Sequence, residues 1–385
     1  MCRQIVKANL RASNKGFSII ELMIALLLGL ILAAGIIQVF LGNRQSQRIE
    51  QTVSRMQENG RIALDMITQD ARSSGFSGCA SSVRGGSGQT TKISSPSIYI
   101  KVKNPTVSTV ASTFTAQSAQ GFERSKTGTW SPSLSASLTG TDVDNARNGS
   151  DVIAVYYGAD IGARISGSAN GSDDVVASIQ PNSACFGKDD LVMVANCLSV
   201  DLIKVTNVTN CTGATVTLKH DTTGNVDGSL GGTYSSVDST GAALSDASKP
   251  RVMRFSQVAY YVKNTGRKNP SGGDIYSLYR YSSGAAQELI EGVEFLKLEF
   301  GENLTSGNIR YVTSSDPSIN WDNIVAVRVG ILVQSYDQAR DGIDNNSYTI
   351  ADQNIGASGS GILHAADRSM RQAYTATIEL RNHMQ

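Results

Sequence analysis

The sequence predicts an α+β fold in which one long N-terminal helix packs on antiparallel β-sheet. Three features carry that expectation. An apolar run from Phe17 to Leu41 passes, with no proline, into a polar stretch that keeps helical periodicity. Behind it, short β-branched runs alternate with clusters of Gly, Ser, Thr and Asn. The last of these runs, 323–335 and 373–382, alternate apolar and polar residues as half-buried antiparallel strands do.

Taken in chain order, the first element is a basic stretch. Arg3, Lys7, Arg11 and Lys15 precede the apolar run with no acid among them, and without them the formal charge of +1 becomes 30 cations against 33 acids. A near-neutral body gives no electrostatic case for nucleic-acid binding. Phe17–Leu41 is long enough to cross a hydrocarbon core of roughly 30 Å at ~1.5 Å per residue. The basic residues before it stay on the cytoplasmic side, which puts the rest of the chain outside the cytoplasm. No small-residue cleavage site follows at the signal-peptide distance, so the apolar segment is expected to stay with the mature protein. Glu21 sits inside this run, where a carboxylate is costly unless a partner neutralises it.

Beyond Leu41, Ile49, Val53, Met56, Gly60, Ala63, Ile67 and Ala71 recur every three or four residues and mark one apolar face. Gly75 is the stop signal, so the helix should end near Ser74 after about 58 residues, ~87 Å at ~1.5 Å each. Gly60 within that face should let a strand approach closely. Met56 and Met66 read as core or groove fillers, not as ligands. Strands are expected within 97–102, 151–158, 190–197, 200–208, 214–220, 252–264, 274–283 and 286–301. The segments 84–94, 108–150 and 221–248 are the least hydrophobic and read as long surface loops.

Five cysteines are present, and Cys2 lies in the basic stretch. The other four, Cys79, Cys185, Cys197 and Cys211, have no C-x-x-C spacing and suit two disulfides in an oxidising compartment. Three connectivities are open. Strand neighbourhood suggests Cys197 with Cys211 and Cys79 with Cys185, and four reduced buried thiols are the alternative. Reduction of two unstrained disulfides would remove roughly 2–4 kcal/mol each. His220, His364 and His383 show no ligand spacing, and no nucleophile, phosphate-loop or dinucleotide motif stands between a strand and a helix. Two acidic loops, Asp142–Asn145 and Asp341–Asn346, offer hard oxygens. The second makes Asp341, Asp344 and Asn346 a weak Ca²⁺ candidate against the default of Asx-stabilised turns. No cofactor is expected.

The string KGFSIIELMIALLLGLILA resembles the processing and assembly signature of type IV prepilins and pseudopilins. That resemblance implies cleavage between Gly16 and Phe17 by a prepilin peptidase, N-methylation of Phe17, and a role for Glu21 in neutralising the N-terminal amine of a neighbouring subunit. The helix-bending proline common in major pilins is missing from the apolar stretch. Further strings narrow the family: MQENGRIALDMITQDARSSGFSGC, NGSDVIAVYYG, the AYYVKN, SLYRY and ELIEGVEFLKLEFG block, and RQAYTATIELRN together resemble PilW-type minor pilins.

The resemblance implies a pilin-like organisation. Residues 1–16 form a removable leader, 17–41 the transmembrane and assembly half of the helix, and 42–75 its amphipathic half. Residues 76–385 form an extracytoplasmic β-rich region with a loop-rich insertion at about 84–250. The implied function is priming and tip location in a type IV pilus used for adhesion or twitching motility. The implied partners are other minor pilins, the major pilin, an inner-membrane assembly platform and, in some systems, a large tip adhesin. The implied location is a single pass of the inner membrane with the globular region in the periplasm, then the pilus at the cell surface. A J-like pseudopilin of type II secretion shares this architecture. A membrane-tethered periplasmic binding protein or hydrolase is a reading from another class, but it leaves Gly16, Phe17 and Glu21 unexplained and lacks a convergent catalytic constellation. The expectation is a structural subunit, not an enzyme.

Overall fold

The structure, a computed structural model, describes residues 16, 18–78, 97–103, 118–180, 185–210 and 214–380. The chain divides into two compact units, Met1–Thr52 and Val53–Gln385. Helix α1 runs from Ile19 to Ser73 and contributes to both. It stops where the sequence places its stop: Gly75 takes the left-handed conformation at φ 76°, and the Ser74 and Phe76 N–H groups bond back to Ala71 and Ser73. An αL glycine just past the last turn satisfies carbonyls that the helix leaves open.

Eleven strands follow before the last third of the chain: β1 Ser97–Ile100, β2 Ala119–Arg124, β3 Trp130–Ser131, β4 Asp151–Ile165, β5 Ser168–Asn170, β6 Val175–Ser178, β7 Leu191–Ala195, β8 Ser199–Lys204, β9 Asn207–Thr209, β10 Thr215–Lys219 and β11 Thr233–Ser235. Then come β12 Arg251–Lys268, β13 Asp274–Ser282, β14 Ala285–Glu291, β15 Val293–Asn303, β16 Ile309–Val312, β17 Ile324–Gln334, β18 Tyr348–Ile350, β19 Gln353–Gly356, β20 Ile362–Leu363 and β21 Arg371–Glu379. Pairing is antiparallel except for β1 with β8 and β19 with β20. A large sheet is built around β12 and β4, and a four-stranded sheet runs β16-β15-β17-β21. The single run expected at 286–301 is two strands, because Gly292 at φ 90° turns the chain between β14 and β15.

The buried face of α1 in the second unit is Met56, Gly60, Ala63, Ile67 and Ala71, the stripe its periodicity marks. It shares one core with Val258, Tyr260, Leu278, Leu296, Leu298, Val329 and Ile331, so this core draws on both sheets. Strand β21 keeps the expected alternation, exposing Thr375, Thr377 and Glu379. β17 does not. Val327, Val329, Ile331 and Val333 face the helix core, while Leu332 packs with Phe295, Ile350 and Ile355 beneath the small β18–β20 sheet. A strand covered on both faces reads as a continuous apolar run.

Two of the segments expected as surface loops carry core. Within 118–150, Phe122, Leu138 and Val143 are fully buried in a second cluster with Val152 and Tyr261. Within 221–248, Leu230 and Tyr234 enter a third with Ile165 and Val216. A few large side chains do the burying, and the surrounding Ser and Gly dilute them in any composition average. The segment 84–94 lies outside the described residues.

Candidate functional site

The chemistry at the N-terminal end of α1 is simple. Gly16 is exposed, with nothing within 4 Å of where a Cβ would stand, and Phe17 lies outside the described residues. The Ser18 carbonyl accepts from the Glu21 and Leu22 N–H groups at 3.0 and 3.1 Å and starts the helix. Glu21 lies in the first turn, where the helix dipole favours an acid, and it is the one charged residue between Ile19 and Asn43. The large apolar side chains from Ile19 to Leu41 are all 54–80% exposed, and the most apolar 18-residue window has a mean hydropathy of 2.7. This half of the helix is long and apolar enough to cross a membrane. An exposed apolar surface of that extent marks a lipid or protein contact.

The second half of the helix is fastened by polar contacts as well as by its apolar stripe. Tyr157 and Tyr260 donate their hydroxyls to the two Asp70 oxygens at 2.9 and 2.6 Å, and Arg280 Nε donates to one of them at 2.9 Å. One turn earlier, Tyr260 also donates to the Met66 carbonyl at 3.2 Å, and nearer the start of the packed half Asn59 donates to the Glu291 carbonyl at 3.0 Å. Where Gly60 faces β21, a Cβ would stand 2.6 Å from the Tyr374 ring. The close approach predicted for Gly60 is therefore made by an aromatic side chain on the terminal strand.

Asp70 is a helix latch that spacing alone does not disclose, since Arg280 lies 210 residues away. Replacing it with Asn should cost about 1.5–3 kcal/mol in urea unfolding of the full chain in detergent, the range for hydrogen bonds to a charged group. A second readout is specific to the contact. Burial, followed by the Asp70 charge and hydrogen bond, pushes the Tyr157 hydroxyl up to about 12. Ultraviolet titration of Asp70→Asn should show this tyrosine ionising at lower pH, and an unchanged titration would remove the latch reading.

The remaining sequence candidates separate. Cys185 and Cys197 are each disulfide-bonded. Cys79 and Cys211 lie outside the described residues, and so does the pairing that involves them. Asp341, Asp344 and Asn346 are not assembled into a Ca²⁺ cradle. The Asp344 carboxylate is fully buried against Arg340 and Arg371, at 3.0 and 3.2 Å, and accepts from the Tyr348 hydroxyl at 2.9 Å. Two guanidinium groups occupy the charge that a cation would need, and the loop is an ion-pair anchor. In the other acidic loop, Asp142 accepts from Lys263 at 2.7 Å and Asp144 from the Trp130 indole at 3.1 Å. His220 faces the Asp173 carbonyl, His364 faces the Ala365 and Asn346 carbonyls, and His383 lies outside the described residues. Among the described residues no three His, Cys, Asp or Glu side chains gather as metal ligands.

The anchor continues into a buried cluster that sequence reasoning missed. Arg371 at the start of β21, with no exposed side-chain surface, meets Glu294 at 2.7 Å, Asp367 at 2.9 Å and Asp344 at 3.2 Å. Arg147 pairs with Glu294 at 3.3 Å while its guanidinium lies 3.8 Å from both the Tyr276 and Phe295 ring centres. Only Asp367, four residues before Arg371, is a local partner; no spacing signals the contacts with Glu294 and Asp344, and a charged residue opening an apolar strand is the one hint to them.

Residues 259–382 match the family described as Type IV Pilus-assembly protein W, PilW. That stretch opens within β12 and closes beyond β21, and it contains Tyr260, Arg280, Glu291 and Tyr374, all of which hold the helix. Residues 11–37 match the prokaryotic N-terminal methylation motif and frame Gly16, Phe17 and Glu21. Comparison with curated proteins and with solved structures finds no match for this chain.

Proposed function

From a chain that carries a PilW domain behind a prepilin-type N-terminal methylation motif, we propose a minor pilin, a low-abundance subunit that primes assembly of a type IV pilus and sits at its tip. PilW is a structural family and not a catalytic one. The observation that carries the reading is the contrast within α1. One half exposes an unbroken apolar surface with a single carboxylate, and the other is locked to the PilW domain by Asp70, Gly60 and the apolar stripe. A helix built to hold a domain at one end and to insert at the other suits a filament subunit.

In this proposal a prepilin peptidase cuts between Gly16 and Phe17 and methylates the new amine. Glu21 then neutralises the N-terminal amine of a neighbour, which removes the cost of a lone carboxylate in hydrocarbon. The subunit waits as a single-pass inner-membrane protein with its β-rich region in the periplasm. Its partners there are other minor pilins, the major pilin, the assembly platform and a tip adhesin. Disulfides at Cys185 and Cys197 agree with an oxidising compartment.

The mature protein purified from cells should begin at Phe17 with one added methyl, and should keep its leader in cells without the peptidase. An uncut N-terminus, or a cut beyond Leu41, would overturn the proposal. Glu21→Ala should be cut normally yet fall at least about tenfold in sheared filaments, because an unneutralised charge at membrane depth costs on the order of 2.5–3.5 kcal/mol. Wild-type incorporation of that variant would separate processing from assembly and remove the role given to Glu21.

A further inference from the structure

A second buried ion pair lies where β4 abuts β15, outside both the helix latch and the Arg371 cluster. Lys297 Nζ stands 2.6 Å from Asp151 Oδ1, with side-chain exposures of 0% and 1%. The carboxylate is positioned from several sides. Strand β16 covers β15 only at Phe300–Asn303, so the Leu296 and Leu298 N–H groups have no strand partner on that side. The Ser150 hydroxyl accepts from Leu296 N–H at 3.0 Å, and Asp151 Oδ2 accepts from Leu298 N–H at 2.9 Å. Glu123 stands directly opposite Asp151 in the β2–β4 ladder, and Ser315 donates a hydrogen bond to it.

We infer that this pair is a self-modification site, at which Lys297 Nζ and Asp151 Cγ join in an isopeptide bond that ties β4 covalently to β15. The reacting groups are already in hydrogen-bond contact, and the surroundings exclude water. Desolvation makes a buried ion pair a weak source of stability, and condensation removes both charges together. Burial, opposed by Lys297, pushes the Asp151 carboxyl up to about 6, which favours the acid form that condensation needs.

The chemistry balances without a co-reactant. The ammonium passes a proton to Oδ1 along the existing hydrogen bond, leaving a neutral amine and a carboxylic acid. The amine lone pair attacks Cγ while Leu298 N–H stabilises the charge that develops on Oδ2. As the C–N bond forms, the nitrogen loses a second proton to Oδ1, and Glu123, across the ladder from Asp151, is assigned as the relay. The Cγ–Oδ1 bond breaks and Oδ1 departs as water, so an ammonium and a carboxylate become one amide and one water. The bond would join the large sheet to the four-stranded sheet, whose strands all lie within the matched stretch 259–382. The inference rests on this pair and not on the assembly reading.

The test is mass spectrometry of the full chain, purified in detergent, reduced, alkylated and fully denatured. Wild type should weigh one water less than its processed sequence, and trypsin should yield a branched peptide joining the Asp151 and Lys297 segments, with no cleavage after Lys297. Lys297→Arg retains a cation for folding but cannot form the amide, so it should show full mass and two linear peptides. Glu123→Gln should slow formation of the branched peptide during refolding, and Glu123→Asp should restore part of the rate. A wild-type chain at full mass and cleaved after Lys297 would overturn the inference.

Discussion

Arg371→Met is expected to destabilise the protein by about 3–5 kcal/mol, the range for removing one partner of a buried charge network. The side chain touches three carboxylates, and two of them, Glu294 and Asp344, are as sealed from solvent as the arginine itself. Without Arg371, Glu294 keeps Arg147 and Asp344 keeps Arg340, but three acids then share two cations. Unfolding in urea, followed by circular dichroism of the full chain in detergent, measures the loss. A change below about 1 kcal/mol, the size of a surface salt bridge, would show that the cluster contributes no more than an exposed pair.

The pH dependence of that loss has a definite sign. Burial pushes Asp367 and Asp344 upward. Arg371 and the Ser369 N–H outweigh this at Asp367, and the Tyr348 hydroxyl, the Asn346 N–H, Arg371 and Arg340 outweigh it at Asp344, so both carboxyls end below the ordinary Asp value. A carboxyl depressed in the folded state contributes stability that is present above its unfolded pKa of ~3.9 and is lost as pH falls through the folded value. The gap between wild type and Arg371→Met should therefore be full at neutral pH and narrow below about pH 4. A gap that widened on acidification would contradict the cluster's charge assignment.

Such contacts explain which parts of the fold were legible in the sequence. The end of α1, the buried stripe from Met56 to Ala71 and most strand positions follow from local periodicity and turn chemistry, so they could be read residue by residue. The prepilin-type signature was legible for the same reason: Gly16, Phe17 and Glu21 are defined by fixed local spacing. Asp70 with Arg280, Asp151 with Lys297 and Asp344 with Arg371 are far apart along the chain, and neither Asp70 nor Asp151 carries a local signal that sets it apart from an ordinary polar residue. Asp344 does stand out locally, as a Ca²⁺ candidate, but its cation does not. An Asx-rich loop looks identical whether its carboxylates face water, a metal or a guanidinium, and tertiary packing chose the guanidinium. Burial of β17 on both faces was hidden because its second cover, the β18–β20 sheet, comes from strands too short to stand out.

Gly60 provides a test in which local propensity and tertiary packing predict opposite signs. In an isolated helix, Gly→Ala should stabilise by about 1 kcal/mol. At Gly60 the added methyl would stand 2.6 Å from two Tyr374 ring carbons and 2.9 Å from a third. The ring must swing aside or the helix must lift from β21, and either motion disturbs the core shared by Ala63, Ile67 and Ile331. Overpacking of this kind costs typically about 1–3 kcal/mol, so Gly60→Ala should lower stability despite the better helix propensity. Gly42, in the same helix with nothing within 4 Å of its Cβ position, is the internal control, and Gly42→Ala should leave stability unchanged or raise it. Shortening the opposing side chain identifies the source of the clash: in Gly60→Ala/Tyr374→Ala the two losses should add to less than their sum, with a coupling of about 0.5–3 kcal/mol. Strict additivity in that cycle, or a stabilising Gly60→Ala, would mean that the helix does not rest on Tyr374, and the packing of α1 against β21 would have to be redrawn.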